Sequence, residues 1–151
     1  MSETTQENQS GQPRDLSNVH VLVIEDKMDS YSIIVRLLER AGVSVHNHNW
    51  KANGLDIVNF VENHIEHEID LILLDLGLPN EDGYAILTRL RQIPHFAQTP
   101  IVAVTGHVDV EEMRRAQIAG FSGFLGKPLD KQRFPGQIQR ILAGEAVWEN
   151  V

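Results

Sequence analysis

Apolar residues along this chain fall into two kinds of run that take turns. Short runs rich in branched side chains alternate with longer stretches in which apolar residues recur every three or four positions. The first short run, VHVLVIE (Val19 to Glu25), predicts a strand. Met28 to Ala41 follows with Ile33, Ile34, Leu37, Leu38 and Ala41 at helical spacing, and Gly42 is the expected stop. VSVHNHN (Val43 to Asn49) alternates as a half-exposed edge strand does, with His46, Asn47 and His48 read as exposed polar positions. Asn53 to Glu68 carries Leu55, Val58, Val61 and Ile65 on one helical stripe. Asp70 to Asp75 is continuously apolar between two acids, the pattern of a strand covered on both faces. A loop with Gly77, Pro79 and Gly83 leads to a helix holding Ile86, Leu87, Leu90 and Ile93, ended by Pro94. PIVAV (Pro100 to Val104) predicts a fourth strand. Asp109 with Glu112 then reads as a capping box for a helix to about Ala119, with Glu111, Glu112, Arg114 and Arg115 as exposed pairs. Phe121 to Gly126 is a fifth strand, and the last helix, with Ile138, Ile141 and Leu142, starts near Phe134 because Pro135 and Gly136 disfavour a regular start.

Strand and helix thus alternate five times. That order predicts an α/β domain built on a parallel sheet, with helices on both faces and right-handed crossovers. Ligands of such sheets bind beyond the carboxyl ends of the strands, at the switch point of the strand order. Parallel strands bring those ends to one lip. At them the chain places Glu25 and Asp26, Asp75, Thr105 and Lys127, while the edge strand at Val43 to Asn49 contributes no comparable group.

The 151 residues suit one domain. Residues 1–17 hold only Met1 and Leu16 as apolar side chains and are expected to form a flexible tail. The domain itself is expected over 18–144, with 145–151 as a short C-terminal tail in which Trp148 either packs on a neighbour or stays loose. Cysteine is absent, which excludes disulfides, thiolate metal sites and thiol nucleophiles. Thirteen Lys and Arg against 21 Asp and Glu leave a net charge of −8, which argues against a nucleic-acid partner. The polar N-terminus and the lack of a long apolar run predict a cytoplasmic protein with no membrane contact.

The residues at the strand ends make coherent chemistry. Three carboxylates within a few ångströms repel one another and do not all stay ionised unaided. A divalent cation resolves the repulsion, and oxygen ligands without thiolates favour a hard ion such as Mg²⁺. Lys127 adds a mobile positive charge, and the Thr105 hydroxyl can donate to an anionic oxygen. The set resembles a phosphoryl pocket around one carboxylate able to act as nucleophile.

Four motifs carry a resemblance to a known family: VLVIED (Val21 to Asp26), LILLDLGLPNEDGY (Leu71 to Tyr84), PIVAVTG (Pro100 to Gly106) and FLGKP (Phe124 to Pro128). Over about Val19 to Ala143 the chain resembles the receiver domains of two-component response regulators. The resemblance implies a doubly wound, flavodoxin-like, five-stranded parallel sheet of order 2-1-3-4-5. It implies that Asp75 accepts a phosphoryl group from the phosphohistidine of a sensor histidine kinase or phosphotransfer protein. It further implies that Asp26, Asp75 and the Gly77 carbonyl ligate Mg²⁺, with Glu25 near the ion through water. Thr105 would bond the phosphoryl oxygen and shift, Phe124 would stand at the switch aromatic, Lys127 would pair with the phosphoryl group, and Lys127–Pro128 would be cis. Three departures from the commoner family pattern fall at four positions. Glu25 stands for an aspartate, Phe124 lacks a tyrosine hydroxyl, and Gly77 and His107 fall where the family tunes hydrolysis of its acyl phosphate.

The expected function is that of a stand-alone receiver, not an enzyme. A downstream protein would read the face made by the fourth helix, fifth strand and fifth helix. One alternative is a receiver-like interaction module that works without phosphorylation. Another, an aspartyl-phosphate phosphohydrolase, typically needs a second acid two residues after the nucleophile, and that position is Gly77.

Overall fold

Every strand of the sheet runs parallel to its neighbours. In the computed structural model, which describes residues 12–149, β1 (Val21–Ile24), β2 (His48–Lys51), β3 (Leu71–Asp75), β4 (Ile101–Thr105), β5 (Gly123–Gly126) and β6 (Val147–Glu149) lie in the order β2-β1-β3-β4-β5-β6. The helices are α1 (Met28–Ala41), α2 (Ile57–His64), α3 (Gly83–Arg91), α4 (Val110–Ala119) and α5 (Phe134–Leu142), with a short 3₁₀ turn at Pro94–Phe96. This is the α/β, flavodoxin-like arrangement, and its first five strands follow the order 2-1-3-4-5. The order reverses between β1 and β3, so the crevice at their carboxyl ends is the switch point.

The continuous apolar runs arise because both sheet faces are covered. Val21 and Val23, Leu71 and Leu73, Val102 and Val104, Leu125 and Val147 face one layer, where α1 supplies Ile34, Leu37 and Leu38 and α5 supplies Phe134, Ile138 and Ile141. The intervening Leu22, Ile24, Ile72, Leu74, Ile101, Ala103 and Phe124 face the other, beneath Ile57 of α2, Ile86, Leu87 and Leu90 of α3 and Ala116 of α4. Each Leu, Ile or Val buried this way contributes about 1.5–3 kcal/mol of transfer free energy. Among the described residues, no helix is long and apolar enough to cross a membrane.

Several boundaries differ from the sequence expectation, each for a packing reason. The sheet has six strands where five were expected. β6 falls in the supposed C-terminal tail, with Val147 fully buried and Trp148 packed against the core. Gly123 makes room for it: a Cβ there would lie 2.9 Å from the Val147 carbonyl oxygen. Glu149 then anchors the strand to α5, accepting from Arg133 at 2.6 Å, Gln137 at 2.6 Å and Arg140 at 3.2 Å. At the other end, Leu16 is buried at 2% exposure beside Val19 and Val43, and Arg14 and Gln139 exchange two hydrogen bonds, so order begins before residue 18. Residues 1–11 of the expected N-terminal tail and 150–151 of the C-terminal one lie outside the described residues.

β2 starts at His48 and not at Val43. Gly42 closes α1 in the left-handed region (φ 113°), and Val43 N donates back to Leu38 O, so Val43 belongs to the helix stop. A turn from Ser44 to Asn47 intervenes. α2 is shorter than the expected Asn53 to Glu68. Leu55 and Val58 of the expected stripe are exposed, and Ile57 is the position that buries.

Candidate functional site

β1 and β3 are in register with Ile24 opposite Leu74, so the residues after these rungs, Glu25 and Asp75, fall side by side. β4 extends one rung further, to Thr105 opposite Gly126, and Lys127 follows directly, its amide donating to Thr105 O at 2.8 Å. Pairing of the strands therefore gathers groups up to 102 positions apart. Glu25, Asp26 and Asp75 each offer a carboxylate oxygen, all within 4.8 Å of one another. Lys127 Nζ lies 2.8 Å from Glu25 Oε1 and 3.5 Å from Asp75 Oδ2.

Each group is held from its own element. Glu25 is fully buried, and its second oxygen accepts from Lys27 N at 3.2 Å. Burial pushes its carboxyl above the ordinary range, against the pull of Lys127, and the Asp75 charge adds to the rise. Burial by itself would lower the Lys127 ammonium, but the Glu25 hydrogen bond and the Asp75 charge outweigh it and hold the ammonium above its usual value. Asp75 is nearly buried, and its Oδ1 accepts from Gly77 N at 2.9 Å, which ties the following loop to the carboxylate. Asp26 Oδ1 is buried and has no hydrogen-bond partner. The Thr105 hydroxyl oxygen accepts from His107 N at 3.0 Å and is buried at the end of β4. The Lys127–Pro128 peptide is cis.

A buried carboxylate oxygen without a donor is costly, and the three carboxylates cluster where Lys127 pairs with Glu25 and Asp75 and leaves Asp26 Oδ1 without a partner. Both facts fit a divalent ion, and the donors are all oxygens, as a hard cation prefers. Phe124 lies apart from this lip. It is fully buried on the α3–α4 side of the sheet, beside Ala103 on β4 and Trp148 on β6. Because β6 pairs with β5, the face of α4, β5 and α5 does not end in an open β5 edge.

Some contributors carry no motif. Tyr84, at the start of α3, bonds Glu112 on α4 through its hydroxyl, and Arg115 lies over its ring at 4.2 Å. Glu112 and Arg115 are thus tied to Tyr84, whereas the sequence pattern read them as exposed helix pairs. Asp109 caps α4 by accepting from Glu112 N at 2.7 Å, but the Glu112 carboxylate goes to Tyr84 and leaves the reciprocal half of a capping box unused. His48 is half-buried between Tyr31 and Glu39, not an exposed edge residue. The edge strand does reach the site: Trp50 Nε1 donates to Glu25 O at 2.6 Å. Trp50 falls one residue past the expected edge strand, which in the structure runs on to Lys51, and its residue type gives no sign of such a bond, since the acceptor is main chain.

The family model of the response regulator receiver domain matches residues 21–139. The chain belongs to this family, whose members serve two-component signalling. Among curated relatives, the signal transduction histidine-protein kinase BarA of Escherichia coli is 33% identical over 91 residues, 60% of this chain and 10% of that protein. The chain therefore spans about a tenth of that kinase's length. An uncharacterized 14.6 kDa protein of Leptolyngbya boryana is 26% identical over 115 residues, covering 76% of this chain and 83% of the relative. Among solved structures, a putative response regulator from Chloroflexus aurantiacus superposes with a TM-score of 0.71 at 25% identity, covering 83% of this chain and 99% of the other. The chemotaxis response regulator CheY4 of Vibrio cholerae does so with a TM-score of 0.69 at 21% identity, over 82% and 98%, a likeness of fold.

Proposed function

We propose that this receiver is a phosphorylation-controlled protein–protein switch in which Asp75 is the phosphoacceptor. The donor is the phosphohistidine of a sensor histidine kinase or of a phosphotransfer protein. The transfer breaks the donor's P–N bond, forms a P–O bond to an Asp75 carboxylate oxygen and returns the electron pair to the imidazole, which takes up a proton. Asp26, Asp75 and the Gly77 carbonyl would hold Mg²⁺, with Glu25 beside it. When bound, the ion neutralises charge on the carboxylates and the incoming phosphoryl oxygens. Lys127 supplies a second positive charge 3.5 Å from Asp75 Oδ2, and Thr105 a hydroxyl that exchanges its bond with His107 N for one to the phosphoryl group. Phe124 is the aromatic that responds as Thr105 moves.

The observation that carries this reading is the Asp26 oxygen. It is buried without a donor, in a cluster whose carboxylate oxygens lie within 4.8 Å of one another. The protein acts as an acceptor and not as a turnover enzyme. It works in the cytoplasm, and its downstream partner is a protein that meets the α4–β5–α5 face with β6 in place on the β5 edge. Acetyl phosphate with Mg²⁺, followed by intact mass measurement, tests the reading. The expected result is one added phosphoryl mass in the native chain and none in Asp75→Ala. An unmodified native chain would overturn it.

A further inference from the structure

We propose that Trp50, on the edge strand, is a positioning residue for Glu25 and Asp26, and through them for the divalent cation. The inference rests on the cation-binding half of the function proposed above.

Two of the three clustered carboxylates belong to one short turn, Glu25–Asp26–Lys27, between β1 and α1. Trp50 grips that turn at both ends. On its β1 side the ladder ends where Glu25 N donates to Lys51 O at 3.1 Å, and the Trp50 indole N–H then takes the Glu25 carbonyl at 2.6 Å. On the α1 side, the indole stacks on Tyr31 with ring centroids 4.7 Å apart and planes 17° from parallel. Tyr31 belongs to the first turn of α1, its amide donating to Lys27 O at 2.9 Å. Tyr31 is fixed in turn: its hydroxyl bonds His48 Nδ1 at 3.0 Å, and His48 Nε2 meets Glu39 Oε2 at 3.3 Å. One indole thus joins the first residue of the turn to the first helical turn after it.

A metal such as Mg²⁺ demands near-octahedral oxygens and tolerates little displacement. Ligands already held in place lose less freedom on binding, so a brace on their backbone raises affinity without touching the ion. A purely structural Trp50 would change stability and leave ion affinity alone.

Mn²⁺ is the probe, with the free ion counted by electron paramagnetic resonance. Trp50→Phe keeps a ring for Tyr31 and removes the N–H. The expected result is a dissociation constant raised about three- to tenfold over the native chain, the scale of one lost hydrogen bond. A folded Trp50→Phe protein with native Mn²⁺ affinity would overturn the inference. Should that variant not fold, Tyr31→Leu removes the stack and leaves the indole N–H; it is expected to weaken Mn²⁺ binding as well, and native affinity there refutes the proposal equally. Acetyl phosphate labelling of the native chain separates this inference from the phosphoacceptor reading. Mn²⁺ binding without labelling refutes the acceptor role and leaves the affinity ratio to decide on Trp50. A native chain that binds no Mn²⁺ overturns the Trp50 role together with the cation.

Discussion

Replacing Asp26 by Asn should make the metal-free protein more stable while abolishing its response to Mg²⁺. The carboxylate oxygens of Glu25, Asp26 and Asp75 lie within 4.8 Å of one another, with Lys127 bound to Glu25 and Asp75. At 4.8 Å and an effective dielectric constant of about 20, one pair of carboxylate charges repels by 332/(20 × 4.8), or about 3.5 kcal/mol. Two effects reduce the gain from removing the Asp26 charge. Asp26 is only partly buried, so water screens it, and its attraction to Lys127 is lost along with the repulsion. A net stabilisation of about 1–2 kcal/mol remains, or roughly 3–6 °C in melting temperature for a domain of this size. Thermal melts followed by circular dichroism, with chelator and with Mg²⁺, check this. The native chain should melt higher with Mg²⁺, by linkage to the bound ion. Asp26→Asn should melt higher than native in chelator and gain little from Mg²⁺. A variant that melts lower than native in chelator, or that keeps the full Mg²⁺ increment, would refute the electrostatic account of the cluster.

Two further outcomes concern β6. Gly123→Ala places a methyl 2.9 Å from the Val147 carbonyl, so it should loosen β6 from β5, cost about 1–3 kcal/mol and speed amide hydrogen exchange at Trp148. Unchanged exchange there would mean that β6 does not depend on the missing side chain. Glu149 is held below the ordinary glutamate value by the Gln137 hydrogen bond and by Arg140 and Arg133. Its folded pKa is depressed, so its contribution is fully present above the unfolded value, near 4.5, and is lost as pH falls through the folded one. Glu149→Gln should therefore lower stability at neutral pH by no more than about 1 kcal/mol, because the arginine arms are exposed. Urea unfolding at pH 7 and pH 3 should show the gap closing on the acid side, and a gap that widens there would contradict the assignment.

The acids, the threonine and the lysine were legible without coordinates because of how a parallel sheet works. Glu25, Asp75, Thr105 and Lys127 each end or follow a run whose burial on both faces leaves a continuous apolar signature. Once those runs are strands in one parallel sheet, their ends must converge. The chain pattern therefore sets both the fold class and the membership of the site. It does not set the contacts that hold those groups. Whether Lys127 sits on Glu25 or on Asp75, and that it stands closer to Glu25, depends on side-chain geometry across three strands.

What lay hidden shares a physical reason. Periodicity reports whether a residue is buried on its own element, not what covers it. A three-residue strand such as Val147–Glu149 is too short to show a period, so only its docking against β5 and its anchor on α5 reveal it. Leu16 is one apolar residue in a polar segment, and its burial follows from joining the cluster that holds Val19, Leu38 and Val43. Trp50 holds Glu25 through a main-chain oxygen, an acceptor every residue possesses, so no pairing of residue types announces it. Local pattern decides which segments become strands and helices, because burial has a period. The three-dimensional packing decides which side chains meet, because contact between distant segments has none.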